Sequence, residues 1–245
     1  MNGFAEIKRP EAAQLSAIAA RAEALQERYG ELDGEALLRV MLEWQYKGRI
    51  ALVSSFGAEA AILLDMVARI DPATPVIFID SGKLFHHTLT YRDILVQRLG
   101  LTDVRTIEPA SFDLGGHDPD GALWQRNPNL CCYLRKVLPL ERALGGFDAW
   151  ITGRKRDHGG ERDGLETIEA VDGRIRLNPL ARWSSEKINN AFEARGLPRH
   201  PLSEEGYASV GCAPCTAPVS PDAGARDGRW QGRAKSECGI HHARW

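Results

Sequence analysis

No run of apolar residues in this chain approaches the roughly 20 needed to cross a bilayer, so a membrane-spanning protein and a membrane partner are not expected. The N-terminus also lacks the unbroken apolar stretch of a secretory leader, because Glu6, Lys8, Arg9 and Glu11 interrupt it. Charge of one sign is not in excess. The net charge of −2 excludes a globally basic surface of the kind that grips nucleic acid, although a local basic site is compatible with it. There is no internal repeat and no low-complexity tract. Cysteine is scarce, with five in 245 residues. Without a leader the expected compartment is the cytoplasm, where structural disulfides are rare. The five are therefore expected to bind a metal or to carry chemistry.

What is present describes a globular chain, with 43% hydrophobic and 26% charged residues. Its length suits one α/β domain or two small ones. Residues 11–29 are Ala-rich and set Leu15, Ile18, Ala22 and Leu25 on one stripe, which predicts an amphipathic helix stopped at Gly30. A second helix is predicted over 34–46, and others to about Ile70, over 84–99 and over 133–144. Short apolar runs at 50–53 and 75–80 read as buried parallel strands, joined by 104–107 and 149–152. This alternation predicts an open, mostly parallel sheet flanked by helices. Near Pro198 the composition turns to Gly, Pro, Ser and charge. The expected organisation is an α/β domain over 1–197 and an irregular C-terminal lobe with a mobile tail over 198–245, the two forming one functional unit.

The cysteines fall into three groups. Cys212 and Cys215 form a C-x-x-C pair, which can hold a metal or run redox chemistry. Its Pro-rich setting late in the chain argues against a thioredoxin-like motif. Cys131 and Cys132 are adjacent, and adjacent side chains converge on one small ion only with strain. A cluster of several irons offers each thiolate its own metal and tolerates that spacing better. Zinc remains an alternative, although its sites usually draw on two short-spaced pairs, and so do unrelated thiols. Cys238 is left over, among small polar residues with His241 and His242 after it. It reads as a candidate nucleophile, against the plainer role of a small buried hydrophobe.

Three loops follow predicted strands, where open α/β sheets bind ligands. Ser54, Ser55, Phe56 and Gly57 precede a helix and expose N–H groups to an anion, although many turns look alike. Asp80, Ser81, Gly82 and Lys83 form the second loop, with Leu84 directly after it. Gly153, Arg154, Lys155 and Arg156 form the third. A run of three cations is commonly just a solvated surface, but its place at a strand end favours a phosphate or sulfate. Arg226 and Arg229 repeat the theme ahead of Cys238. Lys136 lies one helical turn after Cys132 and can share its face. His86, His87, His117, His158 and His200 show no ligand-like pattern, and Lys47 reads as a surface charge.

In this order the motifs resemble the assimilatory reductases of adenylyl sulfate and phosphoadenylyl sulfate. The resemblance runs from about Ala51 to His241 and ends on Glu237-Cys238-Gly239-Ile240-His241, with Ile240 where the family usually has Leu. It implies an adenine nucleotide α-hydrolase-like fold, related to the ATP pyrophosphatases. It implies a 4Fe–4S cluster on Cys131, Cys132, Cys212 and Cys215, and adenylyl sulfate rather than its 3′-phosphorylated form as substrate. It also implies Cys238 as nucleophile, His241 and the loop residues and cations above as substrate contacts, and a thioredoxin- or glutaredoxin-type reductant. One departure is visible: Asp157-His158-Gly159-Gly160 stands where Asp-Gln-Ser is usual. A reductase of the phosphorylated substrate or of both is the alternative activity. A zinc-stabilised nucleotide-binding module and a sulfur transferase acting on tRNA are more distant ones. A homo-oligomer is left open.

Overall fold

The computed structural model describes residues 10–220 and 222–241. Glu6, Lys8, Arg9 and His242 lie outside the described residues. Six strands form one sheet: β1 (Ile50–Val53), β2 (Val76–Ile79), β3 (Val104–Ile107), β4 (Ala149–Ile151), β5 (Ile168–Val171) and β6 (Arg174–Leu177). Their order is β3-β2-β1-β4-β6-β5, with every pairing parallel except that of β5 with β6. The mostly parallel α/β sheet expected from the alternation is present. The β5–β6 hairpin is an addition. Its turn is Asp172-Gly173, both left-handed, a pair suited to the tight turn that matches strand twist. This signal was legible in the sequence.

Helices cover both faces, which explains why the central strands are apolar throughout. Successive residues of one strand feed opposite layers. Leu52, Val76, Phe78 and Ile151 join the larger core, under the helices Ala12–Tyr29, Gly34–Val40, Ala60–Ile70, His86–Leu99 and Ser185–Arg195. Ala51, Ile77, Ile79 and Trp150 face the other way and pack with Leu140 and Leu144. Each buried aliphatic chain of this kind stabilises the fold by roughly 1.5–3 kcal/mol. The helix Ser185–Arg195, not among those expected above, is capped by the Ser184 hydroxyl and closed by left-handed Gly196.

The helix predicted from residue 133 begins earlier. Pro128–Cys132, a widened turn over Tyr133–Val137 and Leu138–Ala143 run on without a break. In the wide turn the Leu138 N–H reaches back five residues to the Tyr133 carbonyl. Pro139 follows immediately and has no N–H to give. Such turns recur at functional sites.

From Pro198 onward the chain is irregular, with short turns at Pro201–Ser203 and Ala213–Cys215. It folds back over the carboxyl edge of the sheet. Ala213 N–H bonds the Lys83 carbonyl at 2.8 Å, and the Arg176 guanidinium bonds the His241 carbonyl at 2.7 Å.

Candidate active site

β1 leads into β2 on one side, while β4 lies on its other side, so the chain changes winding direction between β1 and β4. The crevice at this switch point is where open α/β sheets take ligands. Here it is lined by Ser54, Ser55 and Gly57 after β1, by Gly153 and Arg154 after β4, and by Lys136, Arg226, Arg229, Cys238 and His241. Ser54 shapes the first loop, its hydroxyl accepting the Phe56 N–H at 3.2 Å. Phe56 is left-handed and turns its ring into the core, edge-on to Phe78 with centroids 5.2 Å apart.

The three consecutive cations have three different fates. Arg154 enters the crevice. Lys155 is buried and paired with Glu59 at 2.8 Å. Arg156 points elsewhere, giving its Nε–H to the Leu165 carbonyl at 2.7 Å.

Positive charge is crowded in this crevice. Burial, with Arg176 beside it, pushes the Arg154 pKa down to about 10. Burial and Arg162 push Arg226 down to about 10 as well. Burial, then Arg154, Arg162, Arg176 and Arg226, hold the His241 imidazole well below its ordinary value. Several donors here are buried with no hydrogen-bond partner, Nε and Nη1 of Arg154 and Nε of Arg229, and Nδ1 of His241 is equally unpartnered. Arg154 Nη1 lies 3.6 Å from Glu169, an ion pair without a hydrogen bond. Unsatisfied buried donors are costly, and an anion is the ligand that would satisfy them.

Arg229 has space cleared for it. A β-carbon on Gly211 would lie 2.1 Å from its Nη2, so any other residue there displaces the guanidinium. The tail is held by charge as well. Glu237 is buried between Arg162, with Nε to Oε1 at 2.7 Å, and Arg226, 3.1 Å from Oε2. Cys238, next in the chain, lines the crevice on one side and an open groove with Asn129, Tyr133 and Lys235 on the other.

The other four cysteines meet in a small neighbouring cavity, lined also by Ser81, Lys83, Arg135 and Lys136. No disulfide joins any of the five cysteines. Burial raises the pKa of Cys131 and Cys215, and pushes Cys132 up to about 12. Cys212 goes the other way. Burial opposes its thiolate, but Lys136 and the Ser81 hydroxyl, 3.1 Å away, outweigh that. Lys136 lines both cavities. Burial tends to discharge its ammonium, yet Cys212, Cys238 and Cys132 around it raise its pKa. No three His, Cys, Asp or Glu side chains among the described residues converge at the spacing of one metal ion.

The phosphoadenosine phosphosulfate reductase domain matches residues 49–218. The chain belongs to this reductase family. It is 47% identical to the adenosine 5′-phosphosulfate reductase of Mesorhizobium japonicum, over 91% of this chain and 88% of that one. The crystal structure of phosphoadenylyl-sulfate reductase from Candida auris, as a phosphate complex, superposes with a TM-score of 0.67. It is 24% identical and covers 81% of this chain and 97% of its own. Yeast FAD synthetase in complex with FAD superposes at 0.52, with 17% identity and coverage of 83% and 76%. These two likenesses show the fold, which is the adenine nucleotide α-hydrolase-like one.

Within this reductase fold, the residues singled out from the sequence do not all share one place. Ser54, Ser55, Gly57, Leu84, Lys136, Gly153, Arg154, Arg226, Arg229, Cys238 and His241 line the crevice. The Phe56 ring, Asp80, Ser81, Gly82 and Arg156 do not. Asp80 closes its own turn by accepting the Gly82 N–H at 2.9 Å, and Ser81 faces the cysteine cavity. Strand alternation and the turn after β2 decide this, and sequence order alone does not reveal it. The sequence reading did not select Arg162, Glu237 or Trp230, all of which line the crevice. Glu237 stood in the quoted tail motif. Arg162 and Trp230 carry no local signal.

Proposed function

We propose that this protein reduces adenylyl sulfate to sulfite and AMP, with Cys238 as nucleophile and a thioredoxin- or glutaredoxin-type dithiol as reductant. The observation that carries this reading is a thiol placed in a crevice where N–H groups of Arg154 and Arg229 are buried without a hydrogen-bond partner. The chemistry follows from the charges. Thiolate and substrate are both anionic, so attack needs positive charge already in position. Cys238 Sγ attacks the sulfate sulfur, the S–O bond to phosphate breaks, and AMP leaves with that oxygen. Lys136, Arg154, Arg226 and Arg229 face the phosphosulfate in this reading, and His241 Nδ1 adds a donor or acceptor. Ser54, Ser55 and Gly57 take up the nucleotide.

Cys238 is then S-sulfonated. A reductant thiolate attacks its Sγ, sulfite departs with the S–S bonding pair, and a mixed disulfide remains. The reductant's second thiol resolves it, restoring the Cys238 thiolate. Sulfur falls from sulfate to sulfite level while two thiols become a disulfide. The outer groove beside Cys238 supports access by a bulky partner. Residues 198–245 act here as the closing element of the 1–197 domain. Cysteines assigned to a cluster and to a nucleophile, with no disulfide among them, suit a reducing compartment, and we place the protein in the cytoplasm.

The four remaining cysteines fit a 4Fe–4S cluster, because four thiols from two separate segments line one cavity. Bound there, a cluster would supply negative charge beside Lys136 and tie the helix Pro128–Cys132 to the Ala213–Cys215 turn. No step above passes through it.

Two measurements test the substrate reading. Lys136→Ala and Arg229→Ala are each expected to lower kcat/KM by about 10- to 1000-fold, the worth of one charge-assisted contact at a transition state. AMP binding should weaken less, because AMP lacks the sulfate. Lys47→Ala, at an exposed position, is the control and should change little. Near-unchanged kcat/KM in both variants would place the anion elsewhere. The second measurement compares kcat/KM for adenylyl sulfate and its 3′-phosphorylated form. A preference for the first is expected, and a large preference for the second would overturn the substrate assignment.

A further inference from the structure

His158 occupies the position where the sequence departs from its family pattern, and it is the middle of a chain of contacts. Its Nε2 lies 3.3 Å from Glu59 Oε2, at the end of the loop after β1. Its Nδ1 lies 2.9 Å from Arg162 Nη1. Arg162 in turn gives Nε–H to Glu237 at 2.7 Å, and Glu237 is held on its other oxygen by Arg226 at 3.1 Å. Lys155 anchors the far end, on Glu59 at 2.8 Å and on Ser185 Oγ at 3.1 Å. The side chains of Lys155, His158, Arg162 and Glu237 are 1%, 11%, 7% and 6% exposed, so water does little of this bonding.

The chemistry fixes the state of the imidazole. A guanidinium can only donate, so His158 Nδ1 is the acceptor. The proton is then on Nε2, where it is donated to Glu59. A neutral imidazole therefore joins a donor to an acceptor. Burial, with Lys155 and Arg162 facing the ring, outweighs the pull of Glu59 and holds the His158 pKa below its ordinary value.

We propose that His158 is a positioning residue: it fixes Arg162 so that Arg162 and Arg226 clamp Glu237 and hold the adjacent Cys238 at the crevice. The contacts thus run from the first nucleotide loop to the nucleophile. That His158 should matter for turnover rests on the reading of Cys238 given above; the clamp itself does not.

Four variants of the full-length protein test it. His158→Gln keeps one donor and one acceptor, so kcat is expected within about 3-fold of the unchanged protein. His158→Leu removes both, and kcat should fall about 10- to 100-fold while AMP affinity holds. Because the effect passes through Glu237, adding His158→Leu to Glu237→Gln should cost less than about 2-fold more. Alkylation of Cys238 by iodoacetamide without substrate, read on its own peptide, should be faster in His158→Leu and unchanged in His158→Gln. If His158→Gln is as impaired as His158→Leu, if the double variant is fully additive, or if alkylation is the same in all, the proposal is wrong. Should alkylation respond as expected in a protein that releases no sulfite, the clamp stands and the reductase reading falls.

Discussion

Cys238→Ser is expected to leave a protein that binds nucleotide and keeps the cluster proposed for the other four cysteines, but releases no sulfite. The exchange is nearly isosteric, so Glu237, Arg162 and Arg226 keep their contacts. What changes is the nucleophile. A serine hydroxyl stays protonated near neutral pH and has no base assigned to it here, whereas a thiol supplies thiolate readily. An oxygen would in any case form a sulfate ester, which a thiol cannot open by attack on sulfur to release sulfite. Unchanged protein incubated with substrate and no reductant should carry a sulfonated Cys238 peptide, and the variant should carry none. Sulfite release by Cys238→Ser would remove Cys238 from the mechanism and with it the role proposed for the tail.

The second large effect is expected at the paired cysteines. Serine at any one of Cys131, Cys132, Cys212 or Cys215 should strip iron and sulfide from the protein, abolish its visible absorbance and lower its solubility. Three arguments support a loss this complete. The thiols come from two segments far apart in sequence, so the proposed cluster would join them and its loss would loosen both. Cys132, pushed up to about 12 by burial, is a poor thiolate unless a metal takes its proton's place. Lys136 would then lose neighbouring charge that favours its ammonium, and it serves the crevice as well. Iron and sulfide analysis of each variant decides the matter. Full iron content in any one of them would show that its cysteine is not a ligand, and stoichiometric zinc in the unchanged protein would replace the cluster with a single-ion site.

Much of the fold was legible because its signals are local. A run such as Val76–Ile79 is apolar throughout because helices cover both faces of its strand, and any sequence that does this reads as a buried parallel strand. The β5–β6 hairpin is as legible, through Asp172-Gly173. The cysteine pattern and the tail motif also stand in the sequence as residue types at fixed spacings, which is why chemistry could be assigned to them before any geometry.

The sequence by itself determined the sheet's parallel strands, the two close-spaced cysteine pairs with Cys238 left over, and the set of cations from which an anion site is drawn. Tertiary structure alone decided which members of that set are used. Arg154, Lys155 and Arg156 are neighbours in the chain, yet one faces the crevice, one is buried on Glu59 and one leaves for Leu165. Arg162 and Glu237, 75 residues apart, meet only because the tail folds back across the sheet edge. The physical reason is that spacing reports periodicity within one element, whereas charge pairing and burial depend on which elements are brought together.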